Sequence, residues 1–325
     1  MSEKKIWCYL FHLCQSMWPS GDPHSRLQLN RTPQQIHDNC EVTKFTAKEK
    51  PLVYEMLEYL PSQGFNTVLI DVGNGVKFET HPEIAMKEAL EKDEVKKLCD
   101  DIRRLGMIPV PKLNFSNGHN AWLRDVALSQ GTDYYFKATA DLIQEVAELF
   151  GWPEYFHLGL DEEDPAVLGA YGYRRLRSAP IWWRDAYRLF DACEHVNARP
   201  WIWGDVYWHR PQDFKEHMPK SVLISNWFYG MDVQKDRNGR YEQKLVQAYA
   251  DLNELGYDQV PTGSGWEHEQ NYDFTFRLCK NELDPALFKG VMAAPWGYNE
   301  GAHQHVMMQD ALSFGLAKKK YFPED

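Results

Sequence analysis

The run from Tyr155 to Leu160 is apolar enough for a buried strand, and four carboxylates follow it without a break: Asp161, Glu162, Glu163 and Asp164. Adjacent acids at a strand end can divide one reaction between them. A carboxylic acid protonates a leaving oxygen, while a second group stabilises positive charge at the carbon left behind. The plain alternative is a solvated acidic turn that opens the next helix, because acids favour helix N-termini. Glu163 and Asp164 fit that alternative and are read as structural.

Other polar and aromatic residues recur at comparable places. Asp71 ends the apolar run from Thr67, Asn114 ends the run from Ile108, and His119 follows closely. Trp203 and Asp205 stand in "WGD", Asn226 and Trp227 end "SVLISNW", and Trp266-Glu267 and Trp296 follow two more runs, with Glu300 four residues further on. Carboxylates beside tryptophans suit sugar chemistry. Indole faces pack on the apolar faces of sugar rings, and excluding water keeps a nearby carboxylic acid protonated. Each tryptophan taken singly defaults to the core, and Trp7, Trp152, Trp182, Trp183 and Trp201 are read that way. His157 lies within a strand and is read as supporting.

These residues need elements to hold them. A helical segment, a glycine and a short strand recur in that order at "EYLPSQGFNTVLIDVG", "IRRLGMIPVPKLNFS", "AELFGWPEYFHLGLDEE", "NELGYDQVPTGSGWE" and "ALFKGVMAAPWGYNE". Glycine suits a left-handed helix C-cap. Apolar residues keep helical spacing at Val95, Leu98, Cys99, Ile102 and Leu105; at Ala140, Ile143, Ala147 and Phe150; at Ala186, Leu189, Phe190 and Cys193; and at Leu245, Ala248, Leu252 and Leu255. Eight strands are expected, at roughly Ile6–His12, Thr67–Asp71, Ile108–Asn114, Tyr155–Leu160, Trp201–Asp205, Val222–Trp227, Gln259–Ser264 and Val291–Trp296. Most are continuous apolar runs, as parallel strands buried on both faces should be. Eight strands with helices between most of them describe an α/β fold, a (β/α)8 TIM barrel, with residues 1–325 as one catalytic domain. The alternative, an open doubly wound sheet, lacks a Gly-rich phosphate loop after any strand. In a barrel the strand-end residues named above share one mouth.

The 325 residues are 43% hydrophobic, enough for a sizeable core, and carry a formal net charge of −11. No basic face stands out, so nucleic acid is not an expected partner. The six cysteines, Cys8, Cys14, Cys40, Cys99, Cys193 and Cys279, form no C-x-x-C pair. They read as reduced thiols rather than a disulfide framework or zinc site. The apolar start "IWCYLFHLCQSMW" contains His12 and Gln15 and lacks a small-residue cleavage site, so it reads as a first strand, not a signal peptide. No run is long enough to cross a bilayer. The expectation is a cytoplasmic protein with a carbohydrate substrate, no membrane partner, no cofactor and no metal, and with room for a homodimer.

The motifs also resemble a known family. "HLGLDEE" is similar to the H-x-G-G-D-E signature of family 20 glycoside hydrolases, the β-N-acetylhexosaminidases, with Leu160 in place of the second glycine. "PKLNFSNGH" resembles that family's P-E-I-D-M-P-G-H segment with one extra residue. "NTVLIDVGNG…HPEI", "RPWIWGD" and "MAAPWGYNE" resemble its strand 2, 5 and 8 regions, in the right order from about residue 60 to 300. The resemblance is to a distant member and to the catalytic barrel only. It implies a retaining, substrate-assisted reaction, a recognised exception to the two-carboxylate pattern. Glu162 would be the general acid and base. Asp161 would hold the 2-acetamido group, whose carbonyl oxygen is the nucleophile. His119 would support the acid; Trp203, Trp227, Trp266 and Trp296 would line the sugar subsite; Asp71, Asn114, Asp205 and Glu300 would join the substrate contacts. The chain departs from the pattern in places. The family's strand 1 arginine and strand 7 tyrosine–aspartate pair have no clear counterpart, and Lys112 and Asn114 replace two of its acids.

Two readings from other classes compete. Asp71, His119, Asp161, Asp205, Glu267 and His268 could hold a divalent metal, as in a sugar isomerase or metal-dependent hydrolase. The barrel could also bind sugar without turning it over.

Overall fold

The structure, a computed structural model, describes residues 4–13, 50–164, 168, 176–232, 239–265, 267–296 and 304–325. Its centre is an eight-stranded parallel sheet: β1 (Ile6–His12), β2 (Thr67–Asp71), β3 (Ile108–Lys112), β4 (Tyr155–His157), β5 (Arg199–Trp203), β6 (Leu223–Ser225), β7 (Thr262–Gly263) and β8 (Gly290–Ala293). The hydrogen-bonded order is β6-β5-β4-β3-β2-β1-β8-β7, and parallel bridges Ile224 to Gln259 and Trp227 to Thr262 join the two ends into a ring. This is the expected (β/α)8 barrel.

Around it lie α1 (Lys50–Tyr59), α2 (Lys92–Arg104), α3 (Asp133–Leu149), α4 (Ala179–His195), α5 (Gly239–Glu254), α6 (Asn271–Glu282) and α7 (Gln304–Tyr321). The α2 stripe of Val95, Leu98, Cys99 and Ile102 is buried, and a Glu91–Glu94 capping box starts the helix. In α3 the stripe centres on Ala138, Leu142, Ile143, Val146 and Ala147, whereas Ala140 faces solvent. The expected helix-ending glycines are left-handed at Gly64, Gly106, Gly151 and Gly256. Gly290 has a different reason: it opens β8 at φ 146°, where a Cβ would lie 1.9 Å from the Ile6 carbonyl oxygen. Here glycine permits strand approach and caps no helix.

Side chains alternate across the barrel wall. On β1, Trp7, Tyr9 and Phe11 pack outward under the helices, while Cys8 and Leu10 point inward with Leu69, Val110, Trp201, Trp203, Leu223, Val260 and Met292. The inward row above them is polar. Register pairs His12 with Asp71, Asp71 with Lys112, Lys112 with His157, and His157 with Trp201. Lys112 Nζ forms a fully buried ion pair with Asp71, and His12 Nδ1 lies 3.4 Å from the same oxygen. Burial alone would raise the Asp71 pKa, but Lys112 and His12 together outweigh it and hold it at about 2.

Trp152 corrects an expectation. It does not join the core with Trp7, Trp182, Trp183 and Trp201; it is 55% exposed, at φ 58°, in the turn ahead of β4. Cys8, Cys99, Cys193 and Cys279 are free and buried, while Cys14 and Cys40 lie outside the described residues. Among the described residues no helix is long and apolar enough to cross a membrane.

Candidate active site at the barrel mouth

Strand β4 ends at His157 because the backbone leaves the extended region there. Gly159 (φ 72°), Leu160 (φ 65°) and Glu162 (φ 55°) are left-handed. That conformation costs a non-glycine residue on the order of 1–2 kcal/mol, so surrounding contacts must hold it. The result is that consecutive side chains, which on a strand would face opposite ways, converge. His119 Nε2 lies 3.0 Å from Glu162 Oε2 and 3.5 Å from Asp161 Oδ2. One imidazole thus touches both acids.

The two acids differ in environment. Asp161 is buried and accepts a 2.9 Å hydrogen bond from Asn114 Nδ2, whereas the Glu162 side chain is 34% exposed. Burial pushes the Asp161 pKa up; His119 and Lys112 pull it back, Glu162 adds to the rise, and the net shift is upward. Burial pushes His119 down, but Asp161 and Glu162 more than reverse this, leaving it above its ordinary value. His157 is enclosed between Trp201 and Trp203, accepts the Gly159 N–H on Nδ1 at 3.0 Å, and is held well below its ordinary pKa by burial. It supports the strand end in neutral form.

Of the other expected site residues, His119 and Asn114 stand beside the acid pair. Trp227 and Trp296 are partly exposed at the mouth. Asp71 and Asp205 do not present free carboxylates as sugar contacts would. Asp71 is engaged by Lys112 one layer below the mouth, and Asp205 is 2% exposed with Oδ2 accepting the Glu162 N–H at 2.7 Å. Trp203 likewise lies under the mouth, 1% exposed, packed on His157 and 6.0 Å from Trp296. Trp266 and Glu300 lie outside the described residues. Glu163 is structural as expected, paired with Arg177 and accepting the Asn117 N–H at 2.8 Å.

Two residues at the site escaped the sequence reading. Tyr229 stacks on Trp227 (centroids 5.1 Å apart, 21° between planes), with the Trp296 indole beside its hydroxyl. Burial raises its pKa well above the ordinary value, and the charges of Asp161, Glu162 and Glu267 add to this, so it stays a neutral donor. The available signal was its position two residues beyond Trp227 in "NWFYG". Ser116 is the second: its hydroxyl donates to the Asp161 carbonyl oxygen. Of the proposed metal donors, Asp71 is committed to Lys112 and Asp205 to a backbone N–H. Among the described residues no three of His, Cys, Asp and Glu converge to hold a metal ion.

No family model and no curated protein sequence matches the chain. Solved structures do. A chitobiase from Flavobacterium johnsoniae superposes with TM-score 0.55 at 15% identity, over 85% of this chain and 51% of that one. A β-N-acetylhexosaminidase from Bacteroides fragilis gives 0.59 at 13% identity, over 98% and 71%. Dispersin B gives 0.57 at 13% identity, over 98% and 99%. This chain therefore spans about half the length of the Flavobacterium enzyme and nearly all of Dispersin B. At such low identity the likeness shows the fold: this chain has the barrel found in β-N-acetylhexosaminidases.

Proposed function

We propose that this chain is a glycosidase of the family 20 type, which hydrolyses β-linked N-acetylhexosaminides, or a related hexoside, with retention of configuration. The observation that carries the reading is the convergence of Asp161 and Glu162 on His119 at the mouth of a barrel. The shared barrel of the solved β-N-acetylhexosaminidases supports it.

The chemistry follows from the two environments. Glu162, the more exposed acid, reaches the glycosidic oxygen and protonates it as the bond to C1 breaks. The 2-acetamido carbonyl oxygen attacks C1 from the other face, forming a bicyclic oxazolinium. Asp161 accepts the amide N–H and stabilises the charge that develops on it, with Asn114 fixing its orientation. Glu162, now a carboxylate, takes a proton from water as the water opens the ring, so two inversions give retention. His119 holds Glu162 through both steps. Trp227, Trp296 and Tyr229 offer flat rings and a hydroxyl to the sugar.

The experiment is a comparison of aryl β-hexosides with and without a 2-acetamido group, on the wild type and on Glu162→Gln. The variant should lose on the order of 10²-fold in turnover, the usual contribution of a general acid. Activity confined to sugars with a free 2-hydroxyl would remove the substrate-assisted step and require a separate nucleophile.

A further inference from the structure

Asp161 and Glu162 are joined by a single peptide unit, and side chains from two flanking strand ends hold both of its polar atoms. The Ser116 hydroxyl, beyond β3, donates to the Asp161 carbonyl oxygen. The Asp205 carboxylate, beyond β5, accepts the Glu162 N–H at 2.7 Å. We propose that Ser116 and Asp205 are positioning residues that clamp this peptide unit and so fix the two acids relative to each other and to the substrate. The proposal rests on the catalytic roles given to the acids above.

Asp205 forgoes its ordinary local use. Asp205 stands at the N-cap of the short helix Val206–His209, where an aspartate usually accepts an N–H of its own first turn, yet its side chain makes no such cap. It reaches across to the neighbouring strand end instead. Among the described residues its other oxygen, Oδ1, has no hydrogen-bond partner. Asp205 also lines a small cavity with Trp182, His209 and Arg210. Ser116 is itself held, accepting the Gly118 N–H at 3.1 Å while its own N–H donates to Asn114 Oδ1 at 2.9 Å. Asn114 in turn holds Asp161. The clamp opposes the left-handed strain at Leu160 and Glu162. Burial, with Asp161 adding to it, pushes the Asp205 carboxyl well above its usual range.

The test uses the full chain with an aryl N-acetyl-β-hexosaminide, and reads in parallel the solvent exchange of the Glu162 backbone amide by NMR. Asp205→Ala should lower kcat by about 10²-fold, the cost of a misplacement near 1 Å, and leave KM within about threefold. Asp205→Asn keeps an acceptor for the N–H and should recover most of the loss. Ser116→Ala should lower kcat by about tenfold and be non-additive with Asp205→Ala, because both act on one peptide. The Glu162 amide should exchange slowly in the wild type and in Asp205→Asn, and fast in Asp205→Ala.

A raised KM with unchanged kcat in Asp205→Ala would make Asp205 a sugar ligand and overturn the clamp. So would fast exchange of the Glu162 amide in the wild type, a readout that stands if Asp205→Ala does not fold. A wild type without turnover but with the protected amide would defeat the proposed function and leave the clamp intact.

Discussion

The Nε2 of His119 lies 3.0 Å from Glu162 Oε2, and the same nitrogen lies 3.5 Å from Asp161. Burial favours the neutral ring, but the two acids win and raise its pKa above 6.5. The stability from this contact is therefore full below 6.5 and is lost as pH rises through the raised value. His119→Asn should destabilise the protein more on the acid side of that window than on the alkaline side, as followed by urea unfolding across pH. It should also lower kcat about tenfold or more by loosening Glu162.

The Asp71–Lys112 pair makes a different prediction. Removing one member leaves a charge buried without a partner, which costs about 3–5 kcal/mol. Asp71→Asn or Lys112→Met alone should show that loss in urea unfolding. Asp71→Leu combined with Lys112→Met should regain a large part of it, as paired apolar replacements of buried ions do. Asp71 titrates at about 2 in the folded chain against 3.8 ordinarily, so its contribution holds above 3.8 and disappears as pH falls through about 2.

Gly159 is irreplaceable for two reasons at once. Its φ is 72°, and a Cβ would lie 2.0 Å from Asn114 Oδ1. Gly159→Ala should cost on the order of 1–2 kcal/mol in backbone strain. It should also push Asn114 off Asp161, so turnover should fall further than the loss of folded protein explains. A variant equal to wild type in kcat and thermal midpoint would contradict this packing.

Asp310, on α7, anchors the segment after β7 by accepting the Gly265 N–H at 2.6 Å and the Tyr272 hydroxyl at 2.5 Å. Burial, only partly offset by these bonds, lifts its pKa to about 6. A carboxyl with a raised folded pKa loses stability as pH rises from 3.8 through 6. Thermal midpoints should fall across that range, and Asp310→Asn, which keeps one of the two acceptor oxygens and removes the charge, should flatten the fall. The difference above 6 should approach about 2–3 kcal/mol.

How much could be read in advance depended on whether a residue type fixes its surroundings. The bounds of β1 and β2 followed from continuous apolar runs and agree with the structure residue for residue. Strand β4 stops at His157, not Leu160, because Gly159 and Leu160 turn left-handed, and no run of apolar letters reveals that turn. The adjacency of Asp161 and Glu162 was visible; their convergence on His119 depended on that same turn. Asp71 and Asp205 carried the right chemistry for sugar contacts, but burial is set by partners from other strands: Lys112 for one, the Glu162 N–H for the other. Trp152 departs from the expected burial for a simpler reason. It occupies a turn after a helix-ending glycine, where a large ring has nothing to cover it.

The placement of the indoles makes the molecule its own optical gauge. Trp227 and Trp296 are partly exposed at the mouth, while Trp152 is exposed at the opposite end, ahead of β4. Trp7, Trp122, Trp182, Trp201, Trp203 and Trp208 are sealed from solvent. If the mouth takes a sugar as proposed, the bound sugar should shield the first two from an aqueous quencher such as iodide and leave Trp152 quenchable. The ligand-dependent part of the quenching would thus report occupancy of the mouth, and Trp152→Phe would remove the quenchable emission of the indole at the opposite end.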